Sequence, residues 1–390
     1  MWLFRSGIVL LGYVVINIYT GIRFLKLIKY FFPSFRAFIF WPFYIFLCYS
    51  FVLVMLLRLD RIRPIRQAAM YSLPAFVYFF LALLVLDGAR LLLQRFGIIP
   101  RLPGFSAAGA GIALGLVLIV MIYGSFHARD IYTVHYGVTL NKNMGEAPLR
   151  ITLVSDLHIG MTVGRDWVAN IVNAVNKTNP DMICIAGDIF DNDLSVVKDL
   201  EGVATELRRL KAPLGVYACP GNHDVDRFSL REATATNGIQ DFLKKVDITF
   251  LQDQVELVAD RFYLVGRRDA SNRGAAPGGV RGERKSAAEL VADLDRTKPV
   301  IFLDHQPVDF LREDAAGVDL VFSGHTHRGQ FFPGNIATAY IYKKAGAVHY
   351  GYWKGRSVQG IVSSGAGVWG PAIRVATNSE VAVVDISYGA

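Results

Sequence analysis

Ile151-Thr152-Leu153-Val154 is a short β-branched run that stops abruptly at Ser155-Asp156-Leu157-His158-Ile159-Gly160. An apolar run of this length, closed by polar residues and glycine, reads as a buried strand with reactive side chains at its carboxyl end. The pattern recurs along the chain. The run at 182–186 ends in Gly187-Asp188-Ile189-Phe190-Asp191, and the run at 214–218 leads to Pro220-Gly221-Asn222-His223-Asp224. The run at 300–303 ends in Asp304-His305, and that at 320–322 in Gly324-His325-Thr326-His327. A further strand is expected at 262–265, and helix-period stretches fall at 166–176, 194–210, 230–245 and 287–294. Alternating strands and helices predict a layered α/β domain. Late strands at 348–352, 358–363 and 381–385 come with fewer helices, which predicts mixed sheets. Residues 267–285, rich in Gly and Arg without periodicity, are expected to form a flexible loop.

Upstream, the composition changes. The 390-residue chain is 53% apolar and only 19% charged, with a mean hydropathy of +0.34. An ordinary soluble chain carries about 25% charged residues. The net charge of +8 is unevenly placed. Residues 1–128 hold twelve Lys/Arg against two Asp/Glu, whereas 129–390 hold 29 against 31. The basic surplus therefore punctuates apolar runs at 6–19, 38–57, 68–86 and 105–123, as membrane-flanking loops do. The slightly acidic remainder offers no footprint for nucleic acid. This predicts a transmembrane region of about four helices at 1–128, a linker or first strand at 129–149, and a soluble α/β domain at 150–390.

Arg23, Lys26 and Lys29 share one helical face, which suits either an interfacial helix or an extension of the first span. Asp60 and Asp87 fall at expected span ends, which argues against an ion pathway. An even number of spans puts both termini on one side, but basic residues tie at seven in each set of loops and flanks. The expectation is a multi-pass protein of a bacterial inner membrane, with a lean toward a cytoplasmic domain. Three cysteines, Cys48, Cys184 and Cys219, are too few for a disulfide framework. None forms a Cys-x-x-Cys pair, and Cys184 and Cys219 read as small buried hydrophobes.

In layered α/β folds, ligands gather at strand carboxyl ends. Five of the eight histidines fall in the five strand-end motifs. Singly, each motif is commonplace; five in order, each with a metal-capable side chain, predict a metal site.

The order Asp-x-His, Gly-Asp-x-x-Asp, Gly-Asn-His-Asp, His, Gly-His-x-His resembles the calcineurin-like metallophosphoesterases. Ser155–Gly160, the Ser-Gly-His-Thr-His-x-Gly-Gln run and the late Ser-Ser-Gly-Ala-Gly run are similar to their membrane-attached branch, the YaeI- and YkuE-like phosphodiesterases. The resemblance implies a four-layered α/β/β/α sandwich and two divalent ions, Mn, Fe or Zn. Asp156, His158, Asp188 and His327 would hold one ion. Asp188, Asn222, His305 and His325 would hold the other, with Asp188 bridging. His223 is implied as a phosphate-facing general acid supported by Asp224. Asp191 either orients a ligand histidine such as His158 or caps a helix before Leu194. Arg328 and Gln330 either meet a phosphate oxygen or lie on the surface. Arg328 departs from the branch, which usually shows glycine there.

The expected function is membrane-anchored hydrolysis of a phosphodiester or pyrophosphate, on a lipid-linked substrate resembling UDP-diacylglucosamine. Phe331, Phe332 and Pro333 would form an apolar rim. The expected partners are the lipid bilayer and a phosphorylated substrate, without nucleic acid; the oligomeric state is not legible. Two alternatives stay open: a tethered phosphodiesterase or phosphatase for soluble nucleotides or phosphoproteins, and a catalytically silent metal-binding sensor or scaffold.

Overall fold

The computed structural model describes residues 2–57, 59, 62–100, 103–145, 148–191, 194–224, 234–272 and 284–389. Most of the expected 267–285 loop, the start of the 230–245 helix, and Arg58, Asp60, Arg61 and Arg101 lie outside the described residues. The chain divides into two units, Met1–Gly124 and Ser125–Ala390.

The first unit holds α1 (Trp2–Phe31), α2 (Ala37–Leu56), α3 (Arg63–Arg95) and α4 (Pro103–His127). Each contains a segment long and apolar enough to cross a bilayer. Large apolar side chains such as Leu11, Phe43, Val85 and Ile119 are exposed, which suits a hydrocarbon solvent rather than water. α1 runs through Arg23, Lys26 and Lys29 without a break, so these residues extend the first span.

Asp87 corrects the sequence expectation. The apolar run stops at residue 86, but α3 continues to Arg95, which leaves Asp87 inside the helix and buried. Its carboxylate accepts from Arg23 Nη2 at 2.8 Å and from Tyr19 at 2.7 Å, and Arg90 lies at 3.4 Å. Arg23 also donates to the Ser106 carbonyl at 2.8 Å, so one charge cluster ties α1, α3 and α4. Charge at this depth is tolerated because it is paired.

The second unit is built on two six-stranded sheets. The first contains β1 (Ile131–Leu140), β2 (Leu149–Val154), β3 (Met182–Ala186), β4 (Val216–Cys219), β5 (Ile248–Phe250) and β12 (Ser379–Tyr388), in the order β1-β12-β2-β3-β4-β5. The second contains β6 (Gln254–Val258), β7 (Phe262–Gly266), β8 (Val300–Leu303), β9 (Leu320–Ser323), β10 (Gly351–Lys354) and β11 (Gln359–Val362), in the order β10-β11-β9-β8-β7-β6. Both are mixed. β2, β3, β4 and β5 run parallel, as do β7, β8, β9 and β11, while β12 is antiparallel to β2 and β6 and β10 are antiparallel to their neighbours.

Side-chain alternation sorts the layers. Ile151, Leu153, Cys184 and Ala186 from one sheet meet Leu264, Ile301, Leu303 and Phe322 from the other in a buried core between them. Thr152 points the opposite way and hydrogen-bonds Thr178, at the end of α5 (Arg165–Lys177), at 2.6 Å. α5, α6 (Leu200–Leu207) and α7 (Thr234–Lys245) cover that outer face. α8 (Ala287–Val291) and α9 (Phe310–Ala316) cover the outer face of the second sheet, packing on Val300, Phe302 and Val321. The result is the expected four layers. The helix expected over 194–210 is interrupted: Leu194–Val196 forms a 3-10 turn, and Asp199 caps a fresh start by accepting from Gly202 N. α10 (Gly334–Lys344) has no counterpart in the sequence expectation.

Asp87→Ala leaves the Arg23 guanidinium buried without that carboxylate. The expected cost is about 3 kcal/mol, read as a lower melting midpoint of the full chain in detergent. An unchanged midpoint would show that the ion cluster carries no stability.

Candidate metal centre

The parallel strands set where the centre lies. β2, β3 and β4 end together on one sheet, β8 and β9 on the other, and the residues just past those ends carry the polar motifs. Backbone bonds lock the turns to one another. Asp156 N donates to Gly187 O and His158 N to Asp188 O, both at 3.0 Å. Two bonds cross between the sheets: His325 N donates to the Asp156 carboxylate at 3.0 Å, and His305 Nδ1 bonds Ala186 O at 2.8 Å.

Asp156, His158, Asp188, His325 and His327 all adopt positive φ, between 47° and 70°. Such left-handed turns cost a side-chain-bearing residue roughly 1–2 kcal/mol each. They fold each ligand-type side chain back over the sheet edge, and strain of this kind gathers where the surroundings over-determine it. Gly187 shows how tight the edge is: at φ +77°, a Cβ there would meet the His305 ring at 2.6 Å.

Among the described residues three groups of ligand-type atoms converge, each within 4.8 Å: Asp156, His158 and His327; Asp188, His305 and His325; and His158, Asp191 and His223, which shares His158 with the first. His327 Nε2 lies 3.4 Å from Asp156 Oδ1 and 3.0 Å from His158 Nε2. Asp188 Oδ2 stands between the clusters, 3.2 Å from His305 Nε2 and 3.6 Å from His158 Nε2. Its other oxygen accepts from His223 N at 2.8 Å.

Burial drives the electrostatics. It pushes His158 down to about 4 and His325 down to about 3, aided for His325 by His305. Burial and His158 hold His327 well below the imidazole range. These three rings are neutral, the form that ligates a metal. Asp156 is pushed up to about 6 by burial, which Asp188 reinforces and His305 opposes. Burial acts against ionisation of Asp188 and His305 as well, but their mutual attraction outweighs it and keeps both charged.

The donor set fits divalent cations. Asn222 Oδ1 is buried without a hydrogen-bond partner, which is costly unless something fills the gap. His305 bonds a carbonyl through Nδ1 and turns its Nε2 toward the Asp188 carboxylate, where a bound cation would replace the Nε2 proton. Ligand histidines are oriented in this way, with the second nitrogen on a carbonyl.

Two sequence expectations need correcting. Asp224 does not face His223. It accepts from Ile189 N at 3.1 Å, Phe190 N at 2.9 Å and Gly221 N at 2.9 Å, clasping the two turns that carry Asp188 and Asn222. The carboxylate beside His223 is Asp191, at 3.7 Å from Nδ1 and also 4.0 Å from His158 Nδ1. Adjacency in sequence pointed to Asp224, but the turn sends its side chain the other way. Gln330 is likewise engaged: its amide donates to Trp369 O and Pro371 O and accepts from Trp369 N, so it fastens a loop rather than meeting a phosphate. Arg328 sits at φ 51°, which explains the branch's glycine, and its guanidinium stacks 4.2 Å from the Tyr350 ring centroid.

Sequence reasoning passed over Arg374 and Trp369. Arg374 is wholly buried, and its Nη2 donates to Ser364 O, Gly365 O and Gly367 O at 2.7–3.1 Å. It shapes the loop whose Gly367 N bonds Asp156 O. The only local signal was an arginine in an otherwise apolar stretch after the Ser-Ser-Gly-Ala-Gly run. Trp369 is half-exposed, with its ring 6.4 Å from that of His223.

Residues 149–329 match the family model described as calcineurin-like phosphoesterase. A Campylobacter jejuni protein described as an uncharacterized metallophosphoesterase is 29% identical over 405 aligned positions, covering 99% of each chain. A Danio rerio protein described as a transmembrane protein with metallophosphoesterase domain is 32% identical, over 60% of this chain and 52% of its own. A UDP-2,3-diacylglucosamine pyrophosphatase of Chlamydia trachomatis is 23% identical, over 47% of this chain and 64% of its own.

Arg374→Lys retains the charge but cannot span three carbonyls. We expect a loss of about 2 kcal/mol, seen as a lower melting midpoint together with reduced retention of divalent metal after dialysis. Wild-type values for both would show that the clamp is dispensable.

Proposed function

The second unit belongs to the calcineurin-like metallophosphoesterases, metal-dependent hydrolases of phosphate esters, and on that premise we propose that this membrane protein uses two divalent ions to hydrolyse a phosphodiester or pyrophosphate of a lipid-linked substrate. The observation that carries the two-ion reading is Asp188, whose Oδ2 stands between a cluster of Asp156, His158 and His327 and a cluster of His305 and His325. Asp156, His158, Asp188 and His327 would hold one ion, and Asp188, Asn222, His305 and His325 the other. Bound divalent ions supply Lewis-acid polarisation of phosphoryl oxygen and activate water near neutral pH.

The chain's own residues do the rest. His223 is half-buried at the rim, with Nδ1 3.7 Å from Asp191, and would donate a proton to the departing oxygen. Asp191 holds that ring and the His158 ring in register. Asp224 fixes the two turns, and Trp369 offers an apolar face beside His223.

Two facts support a lipid-linked substrate: the spans that keep the domain at a bilayer, and the diacylglucosamine-nucleotide specificity in the printed name of the Chlamydia trachomatis relative. The proposed setting is a bacterial inner membrane with the domain on the cytoplasmic face.

The test is metal analysis of the purified full chain with hydrolysis of bis-p-nitrophenyl phosphate and of a lipid pyrophosphate in mixed micelles. About two ions per chain are expected. Chelation should abolish turnover and Mn restore it, while Asp188→Asn should lower both metal content and turnover by about a hundredfold or more. His223→Ala should spare metal content but slow turnover by about a hundredfold. Metal-independent hydrolysis would sink the centre; a preference for soluble nucleotides over the lipid would sink the substrate class.

A further inference from the structure

α10 is built inside out. Gly334, Asn335, Thr338, Ala339 and Tyr342 are its half-buried residues, whereas Ile336, Tyr340 and Ile341 are 60%, 65% and 60% exposed. Residues 336, 337, 340, 341 and 344 follow helical spacing and form one continuous outer face. A helix on a water-washed surface turns its apolar stripe inward; this one buries no residue and turns its apolar stripe outward. Exposed Lys343 and Lys344 close its last turn.

The composition specifies the occupant. An apolar stripe with a tyrosine, closed by two lysines, matches an interfacial helix on anionic headgroups. Tyrosine and lysine both bury an apolar body while keeping a polar tip in water. The same chain carries four bilayer-length helices, so a membrane surface is always at hand. α10 also adjoins the centre. The chain reaches it from His327 through Gln330, the Gly334 N bonds Phe331 O at 2.7 Å, and Tyr342 on the inner side lies within electrostatic reach of Asp156.

We propose that the Ile336, Ala337, Tyr340 and Ile341 face of α10, with Lys343 and Lys344, docks on an anionic bilayer surface and so brings the metal centre to phosphates in the headgroup layer. Docking stands on the exposed face; the identity of the phosphate rests on the lipid-substrate proposal above.

The full chain, reconstituted in phosphatidylcholine vesicles with and without phosphatidylglycerol, tests it. Cys184 and Cys219 are buried, so a Cys48→Ala background leaves an introduced cysteine as the accessible thiol. Ile341→Cys carries an environment-sensitive fluorophore, and Leu311→Cys, 68% exposed on α9, serves as the control. Nitroxide-labelled lipid should quench the probe at 341 several-fold more than at 311. Omitting phosphatidylglycerol, or combining Lys343→Glu with Lys344→Glu, should remove the difference. Equal quenching at both positions overturns docking, and so does a probe at 341 that is shielded only as protein concentration rises, which would indicate a second copy as the occupant. The combined Ile336→Ser, Tyr340→Ser, Ile341→Ser variant should keep wild-type turnover of bis-p-nitrophenyl phosphate and lose about tenfold on the micellar lipid. Wild-type protein inactive on every ester would sink the enzymatic proposal while leaving the quenching result to stand.

Discussion

The second unit is organised around carboxylates that cannot be buried alone. Asp156 and Asp188 lie out of water where two sheets end together, and their charges demand positive partners. His305 answers Asp188 directly, at 3.2 Å. The turns around them give up local backbone comfort for this arrangement. Five ligand-type residues take left-handed conformations, and Gly187 stands where any side chain would strike the His305 ring.

Much of the surrounding polar network serves to hold those turns. Asp224 ties three backbone N–H groups, Gln330 clasps the Trp369 loop, and Arg374 gathers three carbonyls beneath the Asp156 turn. These groups shape the site without facing the place where a phosphate would sit. Asp191 occupies the position between His158 and His223 from which a carboxylate can steer both rings.

The membrane unit applies the same rule in a harsher solvent. Hydrocarbon cannot solvate Arg23 or Asp87, so the two meet across α1 and α3, joined by Tyr19 and by the Ser106 carbonyl of α4. In the second unit α10 poses the opposite question, an apolar face turned outward.

The layered fold, the four spans and the strand-end motifs were legible because each depends on local pattern: four to seven apolar residues, then a polar stop, or about twenty apolar residues between arginines. Residue type at the strand ends pointed to a metal site, and the resemblance to the calcineurin-like metallophosphoesterases named Asp156, His158, Asp188, Asn222, His305, His325 and His327 as its expected ligands. Direction was not legible. Whether Asp191 or Asp224 looks at His223, whether Gln330 faces outward or grips a loop, and whether Arg374 is buried all depend on how a turn rotates its side chains against a second sheet far away in sequence. α10 escaped notice for a related reason. Its apolar positions do recur at helical spacing, but which side of that helix meets the protein is a tertiary fact, set by where the chain must run after His327.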